Sequence, residues 1–366
     1  MAKLLDDHRD RFRTEELRRF TAAVFVSLGV PGNDAELGAE VLIDADLAGI
    51  ESHGIAHLPW HPGYAPGLKQ GIVNPKPSIE VLRDSPVAAS WDGDSGVGVV
   101  IAAKAMEAAM AKAAATGIGM VAVRNSRHFG AAGYYAHMAA RRDMIGMAMC
   151  NVPPIAHAAG GIDRVFGTNP IAMGAPVQGS HAFLLDIATT AVAGGKLEIA
   201  MRQGKRIPPG WAVDSEGADT DDPEILRKGG GLLPLGSRMD TSSYKGYGLG
   251  LMVDILSGVL PGMGSALFVE RSTLAQGQWF AAWRIDAFCD PEQFKADMKL
   301  MVDKIRGTRP SHSEDAVLVP GDPEATARAE RSTRGVPLDR ETIEQLQALA
   351  AELNLPFPSA LSGEGT

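Results

Sequence analysis

GVGVVI, at residues 96–101, follows a predicted strand and precedes a predicted helix, which is the setting of a dinucleotide-binding fingerprint. The third glycine of that fingerprint is missing, and Ile101 stands in its place. The next predicted strand ends at Arg124, whereas a nucleotide-binding fold has an acidic residue there for the ribose hydroxyl. The stretch therefore predicts a tight turn without a ligand, and it argues against a doubly wound nucleotide fold.

On either side of this turn, strand patterns occupy the middle of the chain and helical patterns concentrate at both ends. We therefore expect the two termini to pack together. Strands are predicted at 87–91, 119–123, 144–150 and 182–185, and helices at 14–29, 99–115, 133–141, from 244 onward and at 339–353. Residues 203–243 are rich in Gly, Pro, Asp and Ser, which predicts mostly surface loop.

Capping residues predict three further helix starts. Asn33, with Glu36 three positions later, forms a capping-box pattern. Asp290-Pro291 and Asp322-Pro323 each combine an aspartate as N-cap with a proline at the first helical position. The prolines and glycines between residues 59 and 67 predict a long irregular loop instead.

Composition limits the classes of partner. The net charge of −9, with scattered Lys and Arg, argues against a nucleic-acid surface, which needs clustered basic residues. Two cysteines cannot form a disulfide framework, and they favour a reduced, cytoplasmic setting. The N-terminus becomes charged at once and shows no apolar signal core. Residues 246–268 are apolar but contain Asp254, Pro261 and many glycines, so we predict a buried segment and no membrane span.

Two histidine segments carry the strongest chemical indication. Ser52-His53-Gly54 and residues 125–130, which include His128, each place an imidazole beside glycine where a regular element gives way to a loop. Histidine donates or accepts a proton near neutral pH without a large pKa shift. Glycine leaves room for a ligand, so the two segments predict proton transfer to a small molecule. Each histidine alone could equally be structural.

His53, His57 and His61 recur every four residues, a spacing that on a helix would form a metal-binding face. Pro59 and Pro62 rule out a continuous helix there. No nearby acid completes a ligand set, so we predict no metal site, and a metal-dependent hydrolase remains an alternative.

Other polar positions have both a functional and a structural interpretation. Gly130-Ala131-Ala132-Gly133 exposes backbone N–H groups at a predicted helix start, where a phosphate is favoured. Asp186 ends a strand and can orient an imidazole or cap the next helix. Lys245 can pair with a phosphate or carboxylate, or lie in solvent, and residues 167–170 can be a simple polar turn.

Taken in order, these strings resemble the malate/L-lactate dehydrogenase family of NAD(P)-dependent oxidoreductases. That group includes ureidoglycolate dehydrogenase, sulfolactate dehydrogenase, diketogulonate reductase and Δ1-piperideine-2-carboxylate reductase. The matching segments are SHG at 52–54, NSRHFGAAGYY at 125–135, GTNPIA at 167–172, DIATT at 186–190, GK at 195–196, IPPGWAVD at 207–214, KGYGL at 245–249, DILSG at 254–258 and VLVPGDPE at 317–324.

The resemblance implies an α/β (α+β) fold with a non-Rossmann mixed, largely antiparallel sheet, discontinuous domains and a homodimer. Three regions are expected: a helical domain from residues 1–75 plus 290–366, a substrate and dimer region from 76–120 plus 245–289, and a cofactor-binding region at 121–244. The cofactor is expected to be NAD or NADP, in an extended cleft.

Carried over by position, the resemblance assigns roles to individual residues. His53 is expected to be the acid/base with Ser52 in its relay, while His128 is the other candidate and Asp186 a further catalytic residue. His57, Thr168 and Lys245 fall at substrate positions. The expected cofactor contacts are His128, Phe129, Gly130, Ala131, Ala132, Asp186, Ile187, Ala188, Lys245, Gly321 and Asp322.

The chain departs from the family pattern near the substrate. His57 stands where many relatives have arginine, whose two parallel hydrogen bonds to a carboxylate histidine cannot reproduce. Lys245 or Arg127 is an alternative holder of the acid group. The loop at 60–67 is also longer and richer in proline than the common family pattern. Tyr244 stands where histidine is common in the family, and Gly194 where arginine is common.

We therefore predict reversible hydride transfer between a nicotinamide and a small 2-oxo or 2-hydroxy acid, with histidine exchanging the proton. A cyclic imino acid is an alternative substrate, because the same layout can protonate nitrogen. A dinucleotide-binding sensor without turnover is an alternative of another class.

Overall fold

The computed structural model describes residues 9–202, 204–269 and 274–361, without the side chain of residue 202. Its α-helices are α1 (Thr14–Ser27), α2 (Gly32–Leu47), α3 (Ala65–Lys69), α4 (Gly98–Thr116), α5 (Ala132–Ala140), α6 (Gly194–Arg202), α7 (Ser243–Asp254), α8 (Pro291–Arg306), α9 (Asp322–Arg334) and α10 (Arg340–Glu352). Its strands are β1 (Asp10–Phe12), β2 (Glu80–Asp84), β3 (Ala88–Asp92), β4 (Ile118–Ser126), β5 (Met144–Cys150), β6 (Ala156–His157), β7 (Arg164–Phe166), β8 (Ile171–Ala175), β9 (Phe183–Ile187), β10 (Ala212–Val213), β11 (Gly231–Leu232), β12 (Gln276–Arg284) and β13 (Val336–Leu338).

A seven-stranded sheet in the order β2-β3-β4-β12-β5-β8-β9 organises the molecule. The β3–β4 pair is parallel, and the other described pairs of this sheet are antiparallel. The prediction of a mixed, largely antiparallel sheet is therefore confirmed. The central strand β12 was not predicted, because its residues from Gln276 to Ala282 are buried on both faces and show no alternation of apolar and polar side chains.

The GVGVVI stretch forms the start of α4, between the parallel strands β3 and β4. Gly98 is the first residue of this helix. A Cβ atom on Gly98 would lie 2.0 Å from the carbonyl oxygen of Arg127, so only glycine allows the helix to approach that backbone. The turn thus packs α4 against the segment that carries His128.

The two termini pack together, as predicted. Strand β1 pairs with β13 in antiparallel register. The ring of Phe357 meets those of Phe12 and Phe20 edge-on, at centroid distances of 5.5 and 5.3 Å. Arg328 also donates two hydrogen bonds to the Asp44 carboxylate, at 2.7 and 3.0 Å.

Two of the predicted helix starts need correction, and two of the predicted loops contain short regular elements. Helix α2 begins at Gly32 after Pro31, and no capping box forms at Asn33. Asp290 does cap α8, and its carboxylate accepts the Gln293 N–H at 2.8 Å. Asp322 is the first residue of α9, whose N-cap is Gly321, and its carboxylate binds His181 and Arg306. The proline-rich loop contains the short helix α3, and the 203–243 segment contributes β10 and β11 to a small four-stranded sheet.

The predicted three-region division stays a prediction. The seven-stranded sheet takes strands from both of the middle regions, and β4 crosses their boundary near residue 120. Within the described ranges, no helix is both long enough and apolar enough to span a bilayer.

Candidate active site

One large cavity, of about 900 Å³, brings together most of the residues singled out in the sequence. Its wall includes side chains from the segments 50–63 and 128–132, together with Thr168, Asp186 and Ala188. The first part of α6 and the loop near residue 225 also line it. The two histidine segments, some seventy positions apart in sequence, therefore share one site.

Asp46 of α2 holds the Ser52-His53-Gly54 segment in place. Its carboxyl group accepts the N–H of Ile55 at 2.8 Å, where one short 3-10 turn passes into the next. A Cβ atom on Gly54 would lie 1.9 Å from Asp46 Oδ1, so glycine is required for this close approach. Burial raises the pKa of Asp46 to about 8, despite the opposing effect of the Ile55 hydrogen bond.

The central strand positions His128. The side-chain amide of Gln278 in β12 donates to Ser126 Oγ at 2.8 Å and to the Arg127 carbonyl at 3.1 Å. Gly130 then adopts a φ of 73°, which turns the chain toward α5. The backbone that carries the His128 imidazole is therefore held by hydrogen bonds from the central strand β12.

Four imidazoles meet at one end of the cavity. The His128 ring lies 5.6 Å from that of His53, 5.3 Å from that of His57 and 4.3 Å from that of His61, centroid to centroid. His57 and His61 are 5.0 Å apart. Despite this density, no three His, Cys, Asp or Glu side chains of the described ranges are arranged to hold a metal ion. The geometry therefore gives no support to the alternative of a metal-dependent hydrolase.

Hydrogen bonds to Nδ1 distinguish three of these rings. Ser52 Oγ lies 2.9 Å from His53 Nδ1, and Tyr64 Oη lies 2.8 Å from His128 Nδ1. The backbone N–H of Gly63 donates to His61 Nδ1 at 3.0 Å. Each contact occupies the same ring nitrogen, which leaves Nε2 as the atom able to meet a ligand.

The nature of each partner determines what the ring can do. An N–H group only donates, so His61 Nδ1 is an acceptor and the neutral ring carries its proton on Nε2. The backbone N–H of Gly130 donates to His128 Nδ1 at 3.4 Å, so this nitrogen is also an acceptor, and the Tyr64 hydroxyl donates to it. A serine hydroxyl both donates and accepts, so the His53 ring can gain or lose a proton without losing the Ser52 contact.

Burial also favours the neutral form of these rings. It lowers the pKa of His53 to about 4 and, together with the charge of His53, that of His61 to about 4. The pKa of His128 is lowered well below its usual range by burial and by the three neighbouring imidazoles. At neutral pH, His53, His61 and His128 are therefore uncharged donors and acceptors.

Asp186 lies at the end of β9 and lines the same cavity. Its carboxylate accepts the N–H of Gly133 at 2.7 Å, in the first turn of α5, and burial raises its pKa to about 6. Among the described side chains no imidazole bonds to it, so Asp186 caps α5 and orients no histidine. The helix start predicted to bind a phosphate thus already receives a protein carboxyl group.

The structure separates the other predicted residues into two groups. His57, Gly130, Ala131, Ala132, Thr168 and Ala188 line the cavity. Phe129 is buried against Tyr135, and Lys245 is exposed on α7. Ile187, Gly321 and Asp322 also lie outside the cavity wall. The Asp322 carboxylate binds His181 at 2.8 Å and Arg306 Nε at 3.1 Å.

The sequence gives no indication of Tyr64, Asp46 and Gln278, and it marks His61 only by a metal-ligand spacing. Tyr64 acts on a residue 64 positions away, and Gln278 on one 152 positions away. No local pattern marks such partners. For His61, the glycine two positions later was the available indication of a backbone N–H close to the ring.

Comparison with known proteins identifies the family. The family model for malate/L-lactate dehydrogenase matches residues 12–347. The malate dehydrogenase of Pyrococcus abyssi is 41% identical over 355 residues, which is 96% of this chain and 97% of that protein. The L-sulfolactate dehydrogenase of Methanocaldococcus jannaschii is 38% identical, over 94% of this chain and 97% of that protein.

A solved structure of another malate dehydrogenase has the same fold. The crystal structure of malate dehydrogenase from Entamoeba histolytica superposes with a TM-score of 0.92 at 29% identity, covering 96% of this chain and all of that one. Both the fold and the sequence thus lead to one group of enzymes, which act on CH–OH groups with a nicotinamide cofactor. The chain belongs to the malate/L-lactate dehydrogenase family.

Proposed function

We propose that this dehydrogenase transfers a hydride between NAD or NADP and a small 2-oxo or 2-hydroxy acid, with His53 as the proton donor and acceptor. The observation that carries this proposal is the set of partners on the ring nitrogens. The Ser52 hydroxyl allows His53 to change its protonation state. The backbone N–H groups of Gly63 and Gly130 make Nδ1 of His61 and of His128 an acceptor, so each of these neutral rings is an Nε2–H donor.

The cavity suits a dinucleotide together with a small acid. Its volume of about 900 Å³ lies near the upper end of the range for small-molecule pockets, roughly 300–1,000 Å³. Gly130, Ala131 and Ala132 present backbone and small side chains to it, so a flat ring can approach closely. The Asp186 carboxyl group retains one oxygen beyond its bond to Gly133 and is suited to accept an amide N–H of the cofactor.

His53 and His128 have different roles in the proposed reaction. When bound, the nicotinamide supplies or accepts the hydride. In reduction, His53 donates its Nε2 proton to the substrate oxygen as negative charge develops there. In oxidation, the neutral His53 carries its proton on Nδ1 and accepts the hydroxyl proton at Nε2, while Ser52 Oγ accepts the Nδ1–H before and after the transfer. His128 donates its Nε2–H to the same oxygen and polarises the C–O bond.

A substrate panel tests this function. We expect the purified protein to oxidise NADH or NADPH, followed by near-ultraviolet absorbance, in the presence of at least one of pyruvate, oxaloacetate and sulfopyruvate. Turnover of cyclic imines alone would replace the 2-oxo acid by an imino acid. Tight binding of reduced cofactor without turnover of any panel member would contradict the proposal and favour a dinucleotide sensor.

We also propose that the enzyme is a homodimer. Helix α7 and the π-helical turn after it (Ile255–Val259) expose Met252, Ile255, Val259 and Leu260, and Phe268 follows with 83% of its surface exposed. Several large apolar side chains exposed within one short stretch of chain are typical of a protein interface. We expect light scattering to give twice the chain mass of 38.6 kDa, and Ile255→Glu to shift the particle toward one chain. A monomeric wild-type protein would contradict this proposal.

A further inference from the structure

His61 has no role in the proton exchange described above, yet its ring lies within the histidine cluster. The ring lines the cavity and lies 4.3 Å from His128, centroid to centroid. Its Nδ1 accepts the Gly63 N–H, and within the described ranges its Nε2 has no hydrogen-bond partner. A neutral N–H donor is therefore available to a ligand at the end of the cavity where the proton donor lies.

The backbone around Gly63 makes this orientation rigid. A Cβ atom on Gly63 would lie 2.8 Å from His128 Cβ and 3.1 Å from His61 Nδ1. Glycine thus lets the 61–63 turn contact both rings at once. The turn fixes which nitrogen of His61 carries the proton and how close the His61 ring lies to the His128 ring.

A substrate acid group finds little fixed positive charge in this cavity. Among its described lining residues, Arg227 is the sole Lys or Arg. Its side chain is 74% exposed and pairs with Glu224 at 3.9 Å. Asp186 and Glu324 add carboxyl groups to the same wall. A carboxylate entering beside His53 therefore depends on neutral N–H donors, which bind anions well when they are pre-oriented.

We propose that His61 binds the carboxylate of the 2-oxo or 2-hydroxy acid through Nε2–H and so determines which acids the enzyme accepts. This inference rests on the proposed function and adds a residue that contacts substrate. Because Gly63 keeps Nδ1 as an acceptor, His61 donates the same hydrogen bond in both reaction directions and exchanges no proton. Its loss therefore weakens substrate binding and leaves the pH dependence of turnover unchanged.

Three substitutions at one position separate this role from a structural one. His61→Phe keeps a ring and removes the donor, His61→Gln places an amide nitrogen near the position of Nε2, and His61→Asn places it near that of Nδ1. For pyruvate and oxaloacetate we expect KM to rise roughly 10–30-fold in the Phe and Asn variants. The Gln variant should stay within about threefold of wild type, and kcat should change by less than about threefold in all of them.

A binding measurement keeps the inference testable apart from turnover. Titration calorimetry of the protein saturated with reduced cofactor measures the Kd of oxamate, an unreactive carboxylate analogue of pyruvate. We expect the same order of affinities: wild type, then Gln, then Asn and Phe. Reduced-cofactor affinity should be equal in all four proteins.

The outcomes that contradict the inference are distinct from those that contradict the proposed function. If oxamate affinity and KM are unchanged in His61→Phe, His61 does not hold the acid. If kcat falls with a shifted pH profile, His61 exchanges protons and the inference is wrong. If the four proteins bind oxamate in the expected order of affinity but wild type turns over no acid of the panel, the proposed function fails and the binding role of His61 stands. If oxamate does not bind to wild type, the inference fails, whereas the proposed function still depends on turnover of the substrate panel.

Discussion

Replacing His53 by alanine is expected to lower turnover at least about a hundredfold while reduced cofactor still binds. General acid–base catalysis contributes roughly 10²–10⁴ in rate, and His53 is the ring whose partner permits a change of protonation state. Turnover is followed by the absorbance of the reduced cofactor, and cofactor affinity by its fluorescence. Near-normal turnover in this variant would move the proton role to His128.

Glutamine substitutions provide a matched control for this assignment. A glutamine amide can replace the neutral Nε2–H of His128 but cannot exchange a proton. His128→Gln should therefore keep activity within about tenfold of wild type, whereas His53→Gln should lose as much as His53→Ala. Equal losses at the two positions would show that both rings exchange protons.

The pH dependence of the wild-type enzyme has a defined sign. Burial lowers the pKa of His53 to about 4, so the neutral base needed for oxidation is the main form at pH 7. Oxidation should be nearly independent of pH around neutrality and should fall as the pH drops toward 4. Reduction needs the protonated ring and should rise over the same interval. In His53→Gln the residual rates should lose this dependence.

Gly54→Ala is expected to destabilise the protein by about 3 kcal/mol and to abolish most turnover. The added methyl would lie 1.9 Å from Asp46 Oδ1, and that carboxyl group is buried and bonded to the Ile55 N–H. Relief of the clash must move either α2 or the turn that carries His53. Thermal unfolding and the substrate assay together measure both effects.

Gly32→Ala is the matched control for this substitution. Gly32 is the first residue of the same helix, and no atom lies within 4 Å of the position its Cβ would take. The free energy of unfolding should change by less than about 0.5 kcal/mol and turnover should be unaffected. A Gly54→Ala protein with wild-type Tm and turnover would show that Asp46 does not constrain the turn.

Much of the fold was predictable because its indications are local. The missing third glycine of GVGVVI argued against a doubly wound fold, and the aspartate before Pro291 indicated the start of α8. Strand β12 escaped prediction because a strand buried on both faces has no alternation. Asp322 resembled an N-cap in sequence, but Arg306 and His181 hold its carboxylate.

The candidate site was predictable as a set of residues and not as a set of roles. His53, His57, His128, Thr168 and Asp186 were identified in advance, and all line the cavity. Whether Asp186 orients an imidazole or caps a helix depends on its distance to Gly133, which no pattern in the chain encodes. His53 and His128 likewise looked alike until their Nδ1 partners were known.

Short stretches of this chain specify where turns form, where helices begin and which imidazoles adjoin glycine, because those properties depend on neighbours a few positions away. The gathering of the imidazoles around one cavity came from contacts between distant segments, such as Tyr64 with His128 and Gln278 with Ser126. Ser52, Gly63 and Gly130 lie within two positions of the rings they contact, but the positions of those rings in the site depend on the fold. A hydrogen bond selects a tautomer only when packing brings its two partners within about 3 Å, and packing is a property of the whole fold.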